Sequence, residues 1–108
     1  MQFIIKALDG EGMLEKRLEV RHLHFEGIER ILDHVICAGA ILDEDGKIKG
    51  SLLVMEYADR KELDEYLADE IYVKEHVWET IEVETMTVAI LDGEKTKLWP
   101  SFPGQAGK

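Results

Sequence analysis

The apolar positions along the chain change period several times, and each change predicts an element. Residues 2–8, Gln-Phe-Ile-Ile-Lys-Ala-Leu, form a short apolar run that stops at Asp9-Gly10-Glu11-Gly12, which predicts a strand closed by a turn. A helical pattern follows from about Met13. Its first part is strongly charged, with apolar residues at Leu14 and Leu18. Its main part places His24, Ile28, Ile31, Leu32 and Val35 at i, i+4, i+7, i+8 and i+11, one face of an α-helix. Gly27 weakens that helix by about 1 kcal/mol relative to Ala. Residues 35–42 form a second apolar run, ended by Asp43-Glu44-Asp45-Gly46, whose Asp-Gly pair is a hairpin signal. A third strand runs from Ile48 to Tyr57. Asp59 can cap a second helix, with Glu62 three residues on as in a capping box, and Leu63, Tyr66 and Leu67 form its buried side. A short irregular or helical piece spans 69–77, and the last strand is expected from Trp78 to about Leu91.

The order β-α-β-β-α-β predicts an α+β fold of ferredoxin-like type, an antiparallel sheet with both helices on one face. The strands read as apolar on both faces: Phe3, Ile5 and Ala7 alternate with Ile4 and Leu8, and Leu53 and Met55 with Leu52 and Val54. Such strands need two covers. The helices supply one, and a second copy of the sheet is the economical other, so a homodimer is expected. The domain is expected to span 1–91. From Asp92 onward, Pro100, Pro103, Gly104 and Gly107 prevent regular structure, and Trp99 and Phe102 could dock this tail onto a groove or fray with it.

Composition narrows the function classes. A length of 108 residues is one small domain, and 45% hydrophobic with 33% charged residues is an ordinary globular balance. The formal charge of −10 argues against nucleic-acid binding and against anionic membrane surfaces, since both need basic faces. The acid is concentrated in residues 56–85, which hold eleven Asp and Glu against three Lys and Arg. That reads as a solvated helix face and strand edge kept soluble by charge, or as a surface for a basic partner. Cys37 is alone, which excludes an internal disulfide, and its apolar strand reads as inert packing. No stretch approaches the roughly 20 apolar residues of a membrane span. The N-terminus lacks the basic and apolar regions of a signal peptide, so a cytoplasmic location is expected.

Candidate chemistry centres on the first helix. His24 sits on its apolar face, where an imidazole needs a hydrogen-bond partner and a carboxylate is a natural one; the pair is either structural or a general base held in one tautomer. His22 and His34 look like surface residues. Arg17 and Arg21 lie four apart, on one helical face beside His24. They either pair with Glu15, Glu19 or Asp9, or clamp a small anionic substrate. No metal-ligand spacing and no nucleotide-binding glycine motif occurs, so no metal and no cofactor is expected.

These residues resemble the YciI-like proteins, which carry an Arg-x-x-x-Arg-x-x-His run in the first helix, here Arg17, Arg21 and His24. Ala38-Gly39, the Gly46 turn, Gly50-Ser51 and Tyr72-Val73 also match, over roughly residues 2–90. The resemblance implies a dimeric α+β barrel of ferredoxin-like subunits. It also implies a catalytic histidine–aspartate pair, with a dehydrochlorinase among the relatives, and muconolactone isomerases and small monooxygenases in the wider superfamily. His24 matches the family histidine. The family's Asp-Pro-aromatic motif falls on Glu70-Ile71-Tyr72, with Asp69 one residue away, so the resemblance offers Glu70 or Asp69 as the acid and counts Tyr72 with Arg17 and Arg21 as substrate-binding. His76 stands where relatives carry a small residue, which reads as a narrowed pocket. The expected function is a cofactor-independent lyase or isomerase acting on a small organic acid through His24. The alternative is a non-catalytic small-molecule-binding or accessory homodimer. A heme- or oxygen-using monooxygenase would need a large apolar pocket around one histidine.

Overall fold

The structure is a computed structural model that describes residues 1–100. Strand β1 (Gln2–Asp9) leads into helix α1 (Leu14–Glu29), a 3-10 turn (Leu32–His34), β2 (Val35–Leu42), β3 (Ile48–Glu56), helices α2 (Arg60–Asp69) and α3 (Ile71–Lys74), and β4 (Trp78–Met86). Two-residue strands β5 (Ile90–Leu91) and β6 (Glu94–Lys95) close the described chain. The main sheet is antiparallel in the order β2-β3-β1-β4, the ferredoxin-like arrangement. Among the described residues no helix is long and apolar enough to cross a membrane.

The turns follow from residue chemistry. Asp43 Oδ1 accepts the N–H groups of Asp45 and Lys47, and Gly46 takes φ 80°, closing the β2–β3 hairpin. Asp59 caps α2 through the Glu62 N–H at 2.9 Å, and the Glu62 carboxylate reaches back to the Ala58 N–H. Gly50 is fixed by proximity, because a Cβ there would lie 2.4 Å from the Ala7 carbonyl oxygen where β1 and β3 pair. Asp92-Gly93, with φ 52° and 75°, forms the tight turn between β5 and β6.

One face of the sheet makes the core. Phe3, Ile5 and Ala7 of β1 stand opposite Met55, Leu53 and Ser51 of β3, and all six are buried beneath the helices. Leu63, Leu67, Tyr72 and Val77 complete that layer. On the other face Ile4, Leu8, Ile41 and Leu52 are half-buried, so β1 and β3 are apolar on both sides as their alternation predicts. Strand β4 departs from that pattern. Its outer residues Glu82 and Glu84 are exposed, with Glu82 opposite Lys6.

Three expectations are corrected. The helix expected to carry one stripe to Val35 ends at Glu29, because Ile31 leaves helical geometry at φ −126°. Leu32 is therefore exposed, and Val35 opens β2. The last strand ends at Met86 rather than near Leu91, and Ile90–Leu91 instead pairs with Glu94–Lys95 in a separate hairpin. Cys37 is exposed on edge strand β2 rather than packed inside. In the tail, Trp99 is partly exposed with the Lys95 ammonium 5.7 Å from its ring, while Phe102 lies outside the described residues.

His76 also has a different role from the one its position in the family suggests. It is exposed, at φ 58°, where α3 ends. Its N–H reaches the Val73 carbonyl, and that of Val77 reaches the Tyr72 carbonyl, the paired bonds of a glycine-type helix stop. A small residue at this position thus answers a backbone demand, not a pocket. Replacing His76 by Gly removes the left-handed penalty at the expense of a more flexible unfolded chain. Urea denaturation is expected to show a net gain of about 0.5–1 kcal/mol.

Candidate active site

Helix α1 presents Arg17, Val20, His24 and Ile28 inward, and two of those four are polar. Each polar group meets one carboxylate. Arg17, 3% exposed, donates from Nε to Asp9 Oδ2 at 2.7 Å and from Nη2 to Asp9 Oδ1 at 3.3 Å. Its Nη2 also donates to Ser51 Oγ at 2.5 Å, and the guanidinium carbon lies 4.5 Å from the Tyr72 ring centre. Asp9 reaches this position because the β1–β4 register shifts between Leu8 and Asp9, just before the glycine turn.

About two turns further along α1, His24 Nδ1 lies 2.5 Å from Glu70 Oε1, with the two side chains 13% and 4% exposed. An ionised carboxylate only accepts, so Nδ1 carries a hydrogen, and in the neutral form of the imidazole Nε2 then keeps its lone pair. The imidazole stacks on Tyr72, with ring centres 4.3 Å apart, and meets Trp78 edge-on. Glu70 is aimed inward by its backbone: at φ −70° and ψ 129° it leaves α2, and its carbonyl accepts the Val73 and Lys74 N–H groups that begin α3. Ile71 is the first residue of α3, the position at which a helix accepts proline without losing a hydrogen bond, so the family's Asp-Pro and this chain's Glu-Ile suit the same joint.

The structure separates the two candidate acids. Asp69 is exposed on the last turn of α2, paired with Lys74 at 2.9 Å, and that hydrogen bond holds its carboxyl below the usual range. Glu70, the next residue around the helix, is the one at His24. It separates the two arginines as well. Arg17 is spent on Asp9 and Ser51, the ion-pairing alternative, whereas Arg21 is exposed with its guanidinium 5.7 Å from the Phe25 ring centre. His22 is exposed as expected. His34 is half-buried instead, with Nδ1 on the Glu56 carbonyl at 2.9 Å and its ring stacked on Tyr57.

A cavity of about 310 Å3 lies between α1 and strands β2 and β3. Arg17, Arg21, His24, Phe25, Ser51 and Tyr72 line it, and Ala38, Gly39 and Ala40 keep one side shallow. The volume suits a molecule of about one ring, at the small end of ligand pockets. The Tyr72 hydroxyl is buried and has no hydrogen-bond partner among the described residues. A larger groove, about 640 Å3, has Glu70, Tyr66, Tyr57 and His34 on its walls. Among the described residues no group of three His, Cys, Asp or Glu is placed to hold a metal ion.

Tyr66 was legible only as an apolar helix residue, yet its hydroxyl donates to Glu70 Oε1 at 2.8 Å. The i, i+4 spacing of Tyr66 and Glu70 is the signal that could have found it. Of the two groups that hold Arg17, Asp9 was among the ion-pair partners the sequence offered, whereas Ser51 is 34 residues away and carries no such signal.

The fold and this site define a small α+β protein of ferredoxin-like architecture with a histidine–carboxylate pair at the edge of a cavity. A family model described as the YCII-related domain matches residues 1–87, and the chain belongs to that family. Among solved structures it is similar to 5-chloro-2-hydroxyhydroquinone dehydrochlorinase (TftG) from Burkholderia phenoliruptrix AC1100, in complex with 2,5-dihydroxybenzoquinone. That match has 23% identity and a TM-score of 0.75, covering 81% of this chain and 94% of the other. It is also similar to an antibiotic biosynthesis monooxygenase-type protein from Bacteroides thetaiotaomicron, at 20% identity and a TM-score of 0.55, covering 90% and 95%. These likenesses are of fold. No match is found among curated protein sequences.

Burial, and then the Glu70 charge, push the Tyr66 phenol well up from its ordinary value. Unfolded tyrosines titrate near about pH 10, so above that pH the unfolded state has released a proton that the folded state retains. Stability present at neutral pH is therefore lost as pH rises. Between about pH 10 and 12, wild type is expected to lose up to about 1.4 kcal/mol per pH unit more than Tyr66→Phe, read by urea denaturation at each pH.

Proposed function

We propose that this chain is a cofactor-independent enzyme that eliminates from, or isomerises, a small ring-sized organic acid, with His24 as its acid–base group. The observation that carries the reading is the 2.5 Å contact between His24 Nδ1 and Glu70 Oε1, in a side chain that also lines the cavity. Glu70 fixes the tautomer, and the Nε2 lone pair is the base. Arg21, the cation not committed to a buried partner, faces the substrate's anionic group. Tyr72 offers its hydroxyl to the same molecule. Arg17 belongs to the wall, because Asp9 already balances its charge.

In an elimination, Nε2 takes a proton from the substrate and the freed electron pair becomes a new double bond. The leaving group departs with the pair that bound it, and the imidazolium returns its proton to the leaving group or to water. In an isomerisation the imidazolium returns that proton to a different carbon. The ligand and substrate named for TftG are hydroxylated six-membered rings that ionise as acids, and this class fits the cavity's size and its one available cation.

The reading includes a cytoplasmic homodimer. Ile4, Leu8, Ile41 and Leu52 leave the outer sheet face apolar on the β1–β3–β2 side, and a second copy of that face covers it. The charged outer edge of β4 then stays in water.

The test is turnover of chlorinated hydroxyhydroquinones by the full chain, followed as chloride release and as the absorbance of the quinone product. Wild type is expected to turn over at least one of them, and His24→Gln to lose about 10²–10⁴-fold in kcat/KM. A His24→Gln variant as active as wild type overturns the role of His24. Tight binding with no turnover makes the protein a binding dimer.

A further inference from the structure

Glu70 is approached by two groups, and both approaches end on one atom. His24 Nδ1 lies 2.5 Å from Oε1 on the cavity side, and the Tyr66 hydroxyl lies 2.8 Å from the same Oε1 on the side of the larger groove. Tyr66 lies on α2 four residues before Glu70, the residue that caps the C-terminus of that helix, so one stretch of backbone sets the donor and the acceptor. The imidazole comes from a different element, α1.

We propose that Tyr66 is a positioning residue for His24: its hydroxyl holds the negative charge on Glu70 Oε1, so that the imidazole keeps its Nδ1 hydrogen and presents Nε2 to the cavity. The proposal rests on the reading of His24 as the acid–base group. An oxygen that already accepts a phenolic hydrogen bond is a weaker proton acceptor than one that does not. A short Nδ1–H···Oε1 contact without that second donor lets the hydrogen drift toward the carboxylate, and an imidazole that gives up Nδ1–H is no longer held in one tautomer. With Tyr66 in place, a proton gained at Nε2 stays on the ring, where the return step of an elimination or isomerisation needs it. Burial and the neighbouring carboxylate keep the phenol protonated, so it remains a donor.

The spectroscopic signature is the 15N resonance of His24 Nδ1, read through the ring carbon-bound hydrogens of the labelled full chain. Removing the Tyr66 donor strengthens the remaining bond, and a more stretched N–H moves the nitrogen downfield. Tyr66→Phe is therefore expected to shift Nδ1 downfield while Nε2 stays in the unprotonated range. Site-specific 3-fluorotyrosine at position 66, a stronger donor of nearly the same shape, is expected to shift it upfield. Opposite displacements by the two replacements support the proposal, because a residue that only fills space would not distinguish a weaker from a stronger hydroxyl.

An Nδ1 resonance that neither replacement moves, in protein that still responds to Glu70→Gln, overturns the role of Tyr66 and leaves the His24–Glu70 pair standing. If Glu70→Gln leaves the resonance unmoved as well, the pair itself is absent, and both this inference and the proposed function fail. Should Tyr66→Phe fail to fold, the fluorinated chain alone decides: an upfield shift supports the proposal and an unchanged position overturns it.

Discussion

One constraint organises the molecule: helix α1 turns two polar side chains, Arg17 and His24, toward the sheet it must pack against. Neither group can stay there alone. Removing one partner of a buried ion pair costs about 3–5 kcal/mol, and an unmet buried hydrogen-bonding group costs about 1–3 kcal/mol. Each is therefore met by a carboxylate from another element, Asp9 at the end of β1 and Glu70 at the joint between α2 and α3. The two contacts tie α1 to both ends of the core layer. Tyr72 packs between them, stacked on the imidazole and beneath the guanidinium, so the two polar pairs share one aromatic partner.

This arrangement explains why the cavity lies where it does. Val20 and Ile28 give α1 too little apolar surface to close down on β2, and Ala38, Gly39 and Ala40 on that strand do not reach up to it. What remains is a space with a fixed imidazole on one side and small residues on the other. A rigid acid–base group beside a ring-sized cavity is the part of an enzyme that must be pre-organised, and here the packing of α1 and the orientation of His24 come from the same contacts.

The element order, the capped start of α2 and the Asp-Gly hairpin were legible because local chemistry decides them. Two kinds of feature were not. The expected apolar stripe through Ile31, Leu32 and Val35 assumed that α1 continues, whereas the chain breaks at Ile31 and changes phase, leaving Leu32 in solvent. The inward face of α1 is also too polar for a hydrophobic periodicity to mark, so Arg17 reads more readily as an exposed clamp than as a buried strut. His24 was found because it heads the run His24, Ile28, Ile31, Leu32 and Val35, which the sequence reads as one apolar face. The choice between Glu70 and Asp69 could not be read from spacing, since adjacent residues at a helix end point in directions fixed by the backbone there. That backbone turn, together with Lys74 one turn on, sends Asp69 outward and Glu70 inward.

The most direct measurement is the coupling energy between His24 and Glu70, from urea denaturation of wild type, His24→Gln, Glu70→Gln and the double variant at neutral pH. A hydrogen bond to a charged partner in this half-buried setting predicts a coupling of about 1.5–3 kcal/mol, with the double variant less destabilised than the sum of the two single ones. Strictly additive effects would mean that the two side chains do not hold one another, and the account of α1, of the cavity and of the imidazole's orientation would fail together.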